Sequence, residues 1–232
     1  MTDIPILFED AEALIIDKPA GLPVDRPRNR APSLADRLGA LTLGFAREPV
    51  PVHRLDTDTS GCLLLARNPK ALKRLSRAFE ERIVEKTYLG IVSTELAEAE
   101  GEIALSLSKV SSEKDGWRMI AAKKGKPALT RWRRIAVRDG LSLVEFRPET
   151  GRTHQIRIHA QHGLGAALLG DPVYGRPDAR ARRTMLHAAA LCVPRDNKPA
   201  IAARAPFPRA FADLGFDDPG PAPRDEARRE AE

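Results

Sequence analysis

Val52 to Gly61 is the densest polar stretch of the chain, holding His53, Arg54, Asp56, Asp58 and the hydroxyls of Thr57, Thr59 and Ser60. Apolar residues follow at once, from Cys62 to Ala66, so a polar loop is anchored by a buried strand. Such a loop suits a reactive carboxylate doing nucleophilic or acid–base work. The plain alternative is a polar turn whose Asp and Thr side chains hydrogen-bond their own backbone. A second polar stretch runs from Pro148 to His159 and contains Arg152, His154, Gln155 and Arg157. Five residues turn a helix by about 500°, so Arg152 and Arg157 point about 140° apart and need different partners. The plain alternative is one solvent-facing arginine and one structural ion pair. Glu85 to Leu89 holds Tyr88, one of only two tyrosines, and a strand tyrosine by itself is most simply a core residue.

Other chemistries find less support. His154, His159 and His162 lack the H-E-x-x-H spacing and a neighbouring Cys or Glu to complete a ligand set, so no metal is expected. The phosphate-cradling loop is absent, and Gly163, Gly165 and Gly170 do not fit G-x-G-x-x-G. Asp58, Thr59, Ser60 and Gly61 echo the aspartic-protease loop. That chemistry needs two carboxylates sharing a proton, and the chain has one copy, so it requires a dimer.

The elements that must position these residues are mostly strands. Ile4 to Asp17 reads as an early strand or hairpin, and Lys18 to Pro23 as a turn. Asp25 to Pro32 is a basic, proline-punctuated loop. Ser33 can cap a helix reaching Leu43. Val52 to Leu65 is strand, loop, strand; Pro69 can open a helix with Leu72, Leu75 and Phe79 as its stripe. Arg82 to Ser93 reads as a strand, and Gly101 to Pro148 as short strands with turns at Gly116, Gly125 and Gly140. Thr153 to His162 fits a helix with Ile156 and Ala160 on one face. Thr184 to Val193 and Pro199 to Ala205 read as late strands, and Pro208 to Leu214 as a short helix. Regular β-α alternation is absent, which argues for a strand-dominated α+β fold.

The 232 residues suffice for one large or two small domains, and 42% hydrophobic with 30% charged residues indicates a globular chain. No apolar run approaches the ~20 residues of a membrane span. The start, Met1 to Asp10, lacks the basic region of a secretory signal. Cys62 and Cys192 form neither a disulfide framework nor a zinc knuckle, and a cytoplasmic location is expected. The net charge is +6. The last sixteen residues hold six acids and three arginines, so the preceding 216, with 35 bases and 26 acids, stand at +9. That body suits a polyanion partner. Aromatics at 5% are too sparse for a broad stacking platform.

Taken together and in order, the motifs resemble the RluA-type RNA pseudouridine synthases. The matching pieces are His53 to Asp56, Thr59 to Gly61, Lys86 to Tyr88 and Gly151 to Arg157. Asp17 to Leu22, Gly125 to Ala128, Gly170 to Gly175 and Leu186 to Ala188 support them, and the resemblance spans residues 4 to 212. It implies an α+β catalytic domain over residues 1–214, with a mixed, mostly antiparallel central sheet and flanking helices. A disordered charged tail, 215–232, follows. The family's longer members carry an N-terminal S4-type domain; too few residues precede Asp17 for one, so the chain resembles the short branch.

The resemblance also implies isomerisation of selected uridines to pseudouridine in a stem-loop of tRNA or 23S rRNA, by base flipping, without cofactor or metal, in a monomer away from membranes. The catalytic aspartate falls on Asp56, the tyrosine on Tyr88, and the basic partner of the aspartate on Arg157. Arg54 falls on the residue that fills the stack left by the flipped base. RNA contact extends to His53, Arg152, His154, Gln155 and Lys126. The resemblance leaves three roles open to Asp56: attack at C1′, addition at C6, or a base on the sugar. Phosphate contacts are expected from Arg26, Arg28 and Arg30, from Lys123, Lys124 and Lys126, and from Arg180, Arg182 and Arg183. The function class that competes is an RNA-binding or RNA-folding factor whose catalysis is dispensable.

Overall fold

A computed structural model describes residues 4–112 and 116–221. The chain begins with an antiparallel hairpin of β1 (Ile6–Glu9) and β2 (Ala13–Lys18). Asp10 closes its turn by accepting the Glu12 and Ala13 amides, each at 2.8 Å. Next come β3 (Val50–Pro51), β4 (Ser60–Ala66), α1 (Pro69–Glu80) and β5 (Glu85–Val92). A meander of β6 (Glu100–Ser112), β7 (Gly116–Ala121), β8 (Lys126–Arg138) and β9 (Leu141–Pro148) leads to α2 (Gln155–Gly163). The described chain closes with β10 (Leu186–Val193), β11 (Ile201–Arg204) and α3 (Arg209–Ala212).

The strands form one sheet in the order β1-β2-β4-β10-β5-β9-β8-β6-β7, with β3 added to β4 and β11 to β10. The β4–β10 pair is parallel and every other pair is antiparallel. This is the mixed, mostly antiparallel α+β fold expected from the sequence.

Sequence explains why β2 and β4 sit inside. Both read as continuous apolar runs, which suits strands covered on both faces. Ala13, Ile15, Cys62 and Leu64 face one core, roofed by Ala71, Leu75 and Ala78 of α1. Leu14, Ile16, Leu63 and Leu65 face the other, where Leu22, Leu34 and Leu55 meet them. Asn68 caps α1 by accepting the Ala71 amide at 2.8 Å, and Pro69 occupies its first turn.

Three expectations are revised. The helix from Ser33 to Leu43 is instead two 3-10 turns, Leu34–Asp36 and Leu38–Leu41. Its start is well made, since Asp36 accepts from both the amide and the hydroxyl of Ser33. Arg37 at φ −117° breaks the run, Gly39 resists helix, and Leu43 and Gly44 are left-handed. Between Gly101 and Pro148 the strands are long rather than short: β6 and β8 have 13 residues each. Their outward charged residues hide the length. Finally, the body does not stop at residue 214. Phe216 is 2% exposed and packs in the core with Phe211, and Asp218 pairs with Arg204. Residues 222–232 of the expected tail lie outside the described residues.

Candidate active site

Asp56 lies in the loop entering β4, and the body pins that loop from several sides. Leu55, its neighbour, is buried among Leu22, Leu34 and Leu63. The carbonyl of Thr57 accepts from the Gly21 amide at 2.9 Å and from the Lys18 ammonium at 3.1 Å. Lys18 is fully buried and also donates to the carbonyls of Pro19 and Leu22 at 2.8 and 2.9 Å. Burial pushes its pKa down to about 8, although the charges of Asp58 and Asp56 oppose the fall. On the other side Arg183 donates to the carbonyl of Asp58 at 3.0 Å. Arg183, expected to contact phosphate, is thus a scaffold residue, bonded also to the carbonyls of Thr184 and Leu186.

At the end of the loop, Gly61 has φ +106°, and a Cβ there would lie 2.2 Å from the Ala188 carbonyl oxygen. Only glycine lets β4 run beside β10 at this point. The hydroxyl of Ser60 meets His187 Nδ1 at 2.9 Å across the same parallel pair. The polar turn is thus a rigid platform from which the Asp56 side chain, 30% exposed, projects.

Arg157 approaches from α2. Its Nη1 lies 3.2 Å from Asp56 Oδ2. Its stronger attachment is to Asp171, through Nε to Oδ2 at 2.7 Å and Nη2 to Oδ1 at 2.8 Å. Asp171 has no exposed side-chain surface, and its Oδ1 also accepts the amides of Val173 and Tyr174. Burial raises the Asp171 pKa, but the Arg157 fork and those amides outweigh it and leave the carboxyl below its usual range. Burial alone lowers the Arg157 pKa; Asp171 and Asp56 reverse this and hold the guanidinium charged. The Tyr174 ring lies 5.0 Å from the guanidinium carbon. The expected Asp56–Arg157 pair is therefore present, but Asp171, which the sequence reading gave no role, holds the arginine. Asp171 comes fourteen positions after Arg157, beyond the end of α2, so no periodicity links them.

Tyr88 lies on β5 opposite Ala188 of β10 and Phe146 of β9. The β5–β10 register slips between Ala188 and Ala190, a bulge beside the tyrosine of the kind that re-aims a side chain. The ring packs against the cores containing Phe146 and Leu55. Burial, and then the charge of Asp56, push its pKa well above the ordinary phenol value. The resting Tyr88 is a neutral phenol.

His154 caps α2 in a left-handed conformation, φ +53°, uncommon for a non-glycine residue. Its Nδ1 is 2.9 Å from the Tyr174 hydroxyl, which itself accepts the Met119 amide at 3.1 Å. The other ring nitrogen, Nε2, lies 3.9 Å from Asp56 Oδ2. Burial lowers the His154 pKa against the pull of Asp56. Arg54 lies on the open side of the loop, 75% exposed, in a 3.0 Å pair with the equally open Asp25. Arg152 donates to the Pro127 carbonyl at 3.2 Å, beside the exposed Lys126. Arg152 and Arg157 do have different partners, but Arg152 precedes α2, so helical spacing is not the reason.

Two residues expected to contact RNA are bonded within the protein. The Nε2 of His53 accepts the Leu64 amide at 3.1 Å, and the ring stacks on Phe79 at 4.8 Å. Burial and the nearby Lys86 depress its pKa to about 3. Gln155 is 4% exposed with both donors and both acceptor bonds engaged. Its Oε1 takes the Thr150 hydroxyl and the Arg152 amide, and its Nε2 gives to Leu129 and Thr130. Both residues fasten the loops that carry Asp56 and Arg157.

Comparison with known proteins places the chain in a family. Residues 12–162 match the RNA pseudouridylate synthase family. An uncharacterised RNA pseudouridine synthase of Zymomonas mobilis is 55% identical over 212 residues, covering 91% of this chain and 97% of that one. The ribosomal large subunit pseudouridine synthase D of the same bacterium is 36% identical, covering 82% of this chain and 62% of its own length. Among solved structures, human RNA pseudouridylate synthase domain containing 1 superposes with a TM-score of 0.75 at 29% identity, over 89% of this chain and 84% of that one. By this family match and these relatives, the chain belongs to the RNA pseudouridine synthases, in their RluA-type family.

Proposed function

We propose that Asp56 is the reacting carboxylate of this RNA pseudouridine synthase, with Arg157 paired to it and Tyr88 bounding the uracil site. The observation that carries the reading is the 3.2 Å contact between Asp56 and an arginine that buried Asp171 holds in place. In the reaction the N1–C1′ bond breaks, the uracil turns, and C5 bonds to C1′. C5 then gives up its proton and N1 gains one, so no electrons leave and no oxidant is needed. A stacked uridine hides C1′ and C6, so the nucleotide must be flipped, at a cost of a few kcal/mol. Arg54, weakly held by Asp25 and open to solvent, is free to enter the vacated stack. A neutral Tyr88 supplies a stacking face. To serve as the base at C5 it must hand its own proton on, and the Asp56 carboxylate is the charge it feels most.

The substrate we propose is a stem-loop of tRNA or 23S rRNA, bound by a single chain in the cytoplasm. Asp56, Tyr88 and Arg157 all come from one chain, and the name of the large-subunit relative favours ribosomal RNA. No helix among the described residues is long and apolar enough to cross a membrane. The test is tritium release by the wild-type enzyme from tRNA and 23S rRNA transcripts labelled at uridine C5. Release from one class names the substrate; no release from either overturns the proposed RNA classes.

A further inference from the structure

The strand pair β6–β7 brings Trp117 beside His154, next to Asp56. Trp117 is 49% exposed, whereas the other tryptophan, Trp132, is 8% exposed. Its inward neighbours on the same face of β7, Met119 and Ala121, pack toward Ile158 and Tyr174. Trp117 continues that face past the packed region. There its ring stacks on His154 at 5.2 Å with an interplanar angle of 28°. His154 is the residue whose Nε2 is 3.9 Å from Asp56. Lys109, diagonal to Trp117 across the pair, lays its ammonium 4.8 Å from the indole centroid. A large exposed ring thus stands one residue away from Asp56, with only a lysine ammonium lying over its face.

We infer that Trp117 is a stacking site for an unpaired RNA base next to the flipped uridine, with Lys109 moving from the ring to a backbone phosphate. The inference rests on the synthase reading. Base stacking on an aromatic ring outweighs an exposed cation–π contact, so a base can displace the ammonium. The freed lysine then meets the phosphate that the base brings with it.

The chain has two tryptophans, so its fluorescence reports on this site. The full-length protein is titrated with a single-stranded oligouridylate and with a blunt RNA duplex of equal charge. The expected result is quenching by the single strand but not the duplex, lost in Trp117→Leu. In turnover, Trp117→Leu raises KM about tenfold and Trp117→Phe restores it. Equal quenching by the duplex, quenching that survives in Trp117→Leu, or a wild-type KM in Trp117→Leu overturns the inference. A wild-type enzyme that releases no tritium from the transcripts would instead count against the proposed RNA classes, since the fluorescence titration does not depend on turnover.

Discussion

One guanidinium serves two carboxylates in different surroundings. Asp171 is fully buried and takes the arginine's fork; Asp56 is 30% exposed and takes one bond. The two should therefore part company on mutation. Asp56→Asn leaves Arg157 with its main partner and should change stability by less than about 1 kcal/mol. Asp171→Asn leaves a buried guanidinium poorly paired and should cost about 3–5 kcal/mol. Denaturant unfolding of both variants decides it, and equal losses would contradict the picture. The pH dependence has a definite sign. The folded Asp171 carboxyl titrates below its ordinary value of 3.8, so its contribution is present above that value. It is lost as pH falls through the lower folded value, and the gap between wild type and Asp171→Asn should close in acid. Asp56 and Arg157 were legible because each lies in a dense polar motif. Asp171 was not, because what matters about it is burial, and a lone Asp before a proline carries no mark of that. The bonds that His53 and Gln155 make within the protein were not legible for the same reason: polar residues inside such a motif can also be its fastenings.

At the scale of elements, the loop holding Asp56 depends on how closely β4 can approach β10. Gly61→Ala places a methyl 2.2 Å from a backbone oxygen that cannot yield, at φ +106°. The expected loss is about 2–4 kcal/mol, with activity falling in the fraction that stays folded. Gly140→Ala is the control: it is also left-handed, but its Cβ meets nothing within 4 Å. It should cost only the conformational strain, about 1–2 kcal/mol. Thermal unfolding of the pair separates close approach from backbone strain, and matching losses would remove Gly61 as the reason for the approach. The helices at Pro69 and Gln155 were legible from a proline at the first turn and from Ile156 and Ala160, which do share one core. The stretch after Ser33 was not, since a good cap and leucines spaced four and three suit a 3-10 turn as readily as an α-helix once Gly39 intervenes. Strand order was not legible either. The parallel contact of β4 with β10 joins residues 127 apart, and no local pattern encodes it.

At the scale of the molecule, the +9 body must be sorted into cations that hold the fold and cations free for RNA. Arg157 and Arg183 belong to the first group through buried or backbone bonds. Arg54, Lys126 and Arg152 are more open, and Arg54 is held only by an exposed pair. Arg54→Ala should leave the melting temperature unchanged while slowing turnover, because an exposed pair contributes under about 1 kcal/mol. A lowered melting temperature would assign it to the scaffold. The Lys126→Ala, Arg152→Ala double variant should weaken RNA binding and flatten the dependence of log Kd on log salt by about 1.4, at ~0.7 per phosphate contact. An unchanged slope would take both residues off the RNA. The family's reaction also distinguishes the enzyme from a binding factor, since only isomerisation expels hydrogen from C5. The most direct test is therefore single-turnover tritium release by Asp56→Asn beside the wild type, both shown to be folded. The expected result is wild-type release and none above background from the variant; release by Asp56→Asn at the wild-type rate would contradict Asp56 as the reacting carboxylate.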